Sequence, residues 1–165
     1  MLSTVNLFTL VHVAISLAGI FTGFIVILGM IAGRQCRGWT AIFLATTLAT
    51  SVTGFLFPIH GFTPALGLGV ISVAILACSY YAFYGRRLAG AWRWIYVVTA
   101  VLAQYFNFFV LIVQSFQKIP VLHALAPTQK EPPFAVAQGA ALLLFFGLGL
   151  LAVRRFHPAP ASTSC

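Results

Sequence analysis

The side chains with the most chemistry to offer are four histidines, His12, His60, His123 and His157, and a scatter of amides and hydroxyls inside apolar sequence. A neutral imidazole ligates haem iron or copper, or hydrogen-bonds a quinone. His12 lies within an apolar run, where an imidazole needs a partner. His60 follows Pro58 and Ile59 in a tight turn. His123 falls in a polar connection, and His157 sits beside Arg154 and Arg155. A metal or haem would therefore have to use His12 with His60 or His123. A bis-histidine haem wants two imidazoles at similar depth on facing helices, and only His12 is clearly inside a run. That weighs against haem.

Other chemistry is excluded by what is missing. The chain has one acidic side chain, Glu131, and no Asp, so neither a catalytic triad nor a pair of carboxylates can be assembled. No charged residue lies well inside an apolar run, which disfavours proton-coupled transport. There is no Gly-rich phosphate loop, zinc-protease helix or nucleophile elbow. The cysteines, Cys36, Cys78 and Cys165, are odd in number and fit no zinc or redox spacing. The balance is against an enzyme.

Amides and hydroxyls remain. Thr50, Thr53, Asn107, Gln114 and Gln138 fall in the same outer half as His12 once the runs are threaded across a membrane, and Ser16 and Gln104 share helix faces with this set. They predict a ligand-binding pocket opening outward, floored by Gln104 and Asn107 and rimmed by His12, His60 and His123. The bland alternative is that these groups only join helices, at about 0.6 kcal/mol per contact.

Composition demands the threading. The 165 residues are 61% hydrophobic and 6% charged. A soluble domain carries roughly 25% charged residues to wet its surface. Five apolar runs are long enough, or nearly so, for the ~20 residues that cross a bilayer. They cover about 5–32, 40–57, 65–84, 94–116 and 134–153, and Pro58, Pro64, Pro132 and Pro133 punctuate their ends. None shows the alternation of a β-barrel strand. The prediction is an all-α, polytopic transmembrane bundle of five spans forming one domain over 1–158, with a short disordered tail over 159–165. Residues 1–5 carry no basic stretch, so the first run is read as a permanent span and not a leader.

Charge sets the orientation. Arg34, Arg37, Arg86, Arg87, Arg93, Arg154 and Arg155 fall on one side of a five-span chain, with Lys118 and Lys130 on the other. Seven against two places the N-terminus outside and the C-terminus in the cytoplasm. Trp39, Tyr80, Tyr81, Tyr84, Trp92 and Trp94 gather at the arginine side, as interfacial aromatics do. The cysteines fall on or near that side too, where thiols stay reduced.

The spans carry small-residue faces, Gly19 with Gly23 and Thr46 with Thr50, that suit a homo-oligomer or partners in a larger membrane complex. The basic residues form no contiguous patch for nucleic acid. Together these features predict a multi-pass protein of a cell membrane, of the bacterial inner-membrane kind, whose partner is the lipid bilayer. Its expected role is a non-enzymatic binding or transport module for a small ligand. The alternatives are a structural subunit and a haem-, copper- or quinone-binding redox protein.

Overall fold

The computed structural model describes residues 4–57 and 64–157, and no strand occurs among them. Helix α1 is Thr4–Ile31, α2 Arg37–Phe55, α3 Pro64–Tyr80, α4 Trp92–Lys118, α5 Pro120–Leu125 and α6 Pro132–Arg155. Prolines open α5 and α6, where a missing N–H costs nothing. α4 stops at Lys118 because Ile119 precedes Pro120 and is pushed to an extended conformation. Glycine at φ 72°, Gly33, lets the chain reverse between α1 and α2. α3 runs on as one π-helical turn, Tyr81–Gly85, closed by the Arg86 and Leu88 amides donating to Tyr81 O and Ala82 O. Arg87 and Leu88 then take left-handed φ values of 48° and 61° before α4 begins.

The long helices alternate in direction, and their contacts give the register. In the α1–α2 hairpin His12 meets Thr53, Gly19 meets Thr46 and Thr47, Gly23 meets Phe43, and Gly29 faces Cys36. Rising numbers on α1 match falling numbers on α2, so α2 lies against α1 almost from end to end. Thr40 with Tyr96 and Thr47 with Asn107 rise together, so α2 and α4 run parallel. Phe116 with Phe134, Phe109 with Gln138, and Arg93 with Phe156 make α4 and α6 antiparallel. Phe55 packs on Gly69 between α2 and α3. The bundle thus has an arginine end, where the 32–36 and 86–91 turns meet the end of α6, and a lysine end, where α1 and α6 begin and α4 stops.

Among the described residues, four helices are long and apolar enough to cross a membrane: Leu7–Ile31, Leu66–Gly85, Trp92–Lys118 and Pro132–Arg155. α2 is not among them. It has 19 residues, opens on Arg37 and Gly38, and carries Thr40, Thr46, Thr47, Thr50, Ser51 and Thr53. The interior is apolar, built from Val26, Ile27, Met30, Phe43, Leu44, Tyr96, Val97, Ala100, Phe145 and Phe156. The exterior is apolar too: Phe21 and Phe146 are each 64% exposed and Leu143 72%. A water-soluble monomer rarely shows so continuous an apolar surface.

Two expectations need correction here. Cys78 is a free thiol, but Cys36 is disulfide-bonded, so the cysteines are not all reduced. The 118–133 connection is not simply a loop but contains α5, a single turn and a half that leaves Val121 and Leu125 exposed. The predicted tail over 159–165 lies outside the described residues.

Candidate functional site: a polar seam from His12 to Gln104

His12 sits just past the second turn of α1, about 12 Å along the helix from Thr4. Its Nδ1 lies 2.7 Å from Thr53 Oγ1. The Thr53 hydroxyl spends its only proton on the Ala49 and Thr50 carbonyls, at 2.7 and 3.2 Å. Its oxygen can therefore only accept, which makes Nδ1–H the donor and leaves Nε2 as an acceptor with a lone pair. The ring stands edge-on to Phe57, with centroids 5.1 Å apart, and Phe57 in turn packs on Phe8. His12 is half-buried, so Nε2 is not sealed in the core. One turn along α1, Ser16 donates to His12 O at 2.7 Å and spends its hydroxyl on its own helix.

Deeper in, the amides are committed between helices. Asn107 Nδ2 donates to Thr47 Oγ1 at 3.0 Å, joining α4 to α2. Gln104 is fully buried, and its Nε2 donates to Ile20 O of α1 at 2.7 Å. Its Oε1 has no hydrogen-bond partner and rests against Gly23, where a Cβ would collide with it. Gln138 Nε2 donates to Phe109 O at 3.3 Å, joining α6 to α4, and its Oε1 is likewise buried without a partner. Thr50 Oγ1 is the third unpartnered atom of this set.

The sequence-predicted residues therefore separate. His12, Ser16 and Thr53 form one contact group at the lysine end of α1 and α2. Gln104 and Asn107 lie along the same three-helix seam, nearer mid-bundle. Gln138 belongs to the α4–α6 interface. Gln114 is exposed on α4, and His123 is exposed on α5 and makes no hydrogen bond or ring contact with His12. His60 lies outside the described residues. Among the described residues no three His, Cys, Asp or Glu side chains stand together to hold a metal. Gly19 and Gly23 are buried against α2 and α4, and Thr46 bonds its own Ile42 and Phe43 carbonyls. A partner expected on the Gly19/Gly23 face meets a face already filled by this chain.

Sequence reasoning missed Thr47, which accepts the Asn107 bond, and the Thr40–Tyr96 pair at 3.1 Å, which locks a fully buried phenol between α2 and α4. Their spacing on α2 is the only signal for them: Thr40 and Thr47 share a face two turns apart. A cleft lined by Met30, Arg34, Cys36, Thr40, Tyr96 and Phe156 lies beside that pair, at the arginine end, too narrow to admit a water molecule.

Comparison with protein-family models, with curated proteins and with solved structures finds no match, so the reading of this seam rests on its own residues.

Proposed function

We propose that the chain is a five-span membrane protein, N-terminus outside and C-terminus cytoplasmic, that serves as a non-enzymatic binding module with His12 at its outward-facing site. α2 supports the fifth span: it flanks α1 along its length, and its 19 residues reach about 28 Å against a hydrocarbon core of about 30 Å. The arginine and lysine ends support the orientation, against the disulfide at Cys36 on the arginine side. The binding role is carried by one observation. His12 is held by Thr53 through Nδ1, so a half-buried, oriented Nε2 acceptor remains for a small ligand with a hydrogen-bond donor. Thr53 and the Phe57 ring border it. The test is mass-spectrometric profiling of small molecules that co-purify with the protein. A species retained by the unmodified chain should fall at least tenfold in His12→Ala and stay in His157→Ala. Identical profiles in all three would end the binding reading.

The second reading is a structural subunit of a membrane complex. It is favoured by Gln104, Asn107 and Gln138, whose amide nitrogens are spent on helix–helix bonds. Native mass in mild detergent separates the two: a subunit co-purifies with defined partner chains, and a self-contained module runs as one chain or a closed oligomer of itself.

A further inference from the structure

The arginine end carries seven guanidiniums and no carboxylate side chain to face them, since the only one in the chain, Glu131, belongs to the opposite end. Glu131 is also already taken, by the Thr128 hydroxyl and amide and the Lys130 amide. Two of the seven arginines are used within the fold. Arg93 Nη1 donates to Phe156 O at 3.0 Å, and Arg86 lies over the Trp92 ring, 5.7 Å from its centroid. The other five, Arg34, Arg37, Arg87, Arg154 and Arg155, are exposed, and their side chains make no hydrogen bond or ion pair among the described residues. Orientation alone requires basic residues on one side. It does not require that five of them be left without a counter-charge on a single rim.

The rim is also placed at a definite level. Tyr80, Tyr81 and Trp94 are 57%, 51% and 49% exposed around the same end. Amphipathic rings exposed beside an apolar girdle sit at headgroup depth. Guanidiniums at that depth face lipid phosphates, which take two N–H donors at once from the planar fork.

We infer that the arginine rim retains acidic phospholipids, with the exposed Arg37 and Arg87 among the guanidiniums that hold their headgroups. This rests on the spanning reading above. Each guanidinium near an anionic surface is worth about fivefold in binding, so removing two costs more than tenfold. The experiment is native mass spectrometry of the full chain titrated with phosphatidylglycerol or phosphatidylcholine. Phosphatidylglycerol adducts should form at least tenfold more readily than phosphatidylcholine adducts. The preference should drop more than tenfold in Arg37→Gln with Arg87→Gln, and weaken in high salt. That pair leaves five basic residues against two, so orientation is kept. Lys118→Gln with Lys130→Gln should retain the preference. Equal adducts from both lipids, or a preference untouched by the arginine pair, overturns the inference while leaving the spans intact. Release of the chain from membranes by alkaline carbonate overturns the spanning reading and this inference with it.

Discussion

Gln104 packs where a side chain at Gly23 would go, and each predicts a different response to substitution. A methyl at Gly23 would strike the Gln104 amide and the Phe43 ring, the latter at 2.9 Å. Neither can retreat, because Gln104 is fully buried and Phe43 is in the core. Gly23→Ala should cost about 1–3 kcal/mol, the range for overpacking a filled interior, read as a lower unfolding temperature in detergent. Gln104→Leu should behave in the opposite sense. It gives up one bond to Ile20 O, about 0.6 kcal/mol in a membrane protein, and removes an orphaned Oε1, whose burial costs about 1–3 kcal/mol. Stability unchanged or raised is expected. A loss above about 2 kcal/mol would mean that Oε1 has a partner in the working protein and that Gln104 belongs to a site.

Among the elements, the 126–131 segment is the one with a titratable lock. At Glu131 slight desolvation raises the carboxyl pKa, but bonds from its own amide, from Thr128 and from the Lys130 amide outweigh it and hold the group below its ordinary 4.5. A carboxyl depressed on folding stabilises above the unfolded pKa, and that contribution is lost as pH falls through the folded value. The segment should therefore open before the helices on acidification, seen as early amide hydrogen exchange at Thr128 and Lys130. Glu131→Gln should show the same opening at neutral pH. The prolines and apolar runs made the long helices legible in sequence, because a proline or a charge stops a span for local reasons. α5 was not legible: Pro120–Leu125 is too short for any periodicity to register. The seam was half legible. His12, Thr53, Gln104 and Asn107 stand out as polar groups in apolar sequence. Which partner each takes depends on the rotation of one helix against another, and Thr47 and Ile20 O carry no mark of that in the sequence.

For the whole molecule the decisive quantity is the number of crossings. A single cysteine at Lys130 should be labelled from outside intact cells by an impermeant maleimide, and one at Arg87 only after the membrane is opened, in a background without Cys36, Cys78 and Cys165. Matching accessibility at both positions would mean that α4 does not cross, and would end the five-span reading. The register of α1 also has a consequence for assembly in time. Synthesis delivers α1 and α2 together, but the Gly23 notch is completed by Gln104, which leaves the ribosome some eighty residues later. Until α4 arrives, that notch lacks the wall Gln104 provides. Whatever inserts α4 must then deliver a helix bearing Gln104 and Asn107 beside a hairpin that already holds their acceptors. Chains truncated before Trp92 should keep the hairpin and lose its third wall, making them marked for recognition by membrane proteolysis.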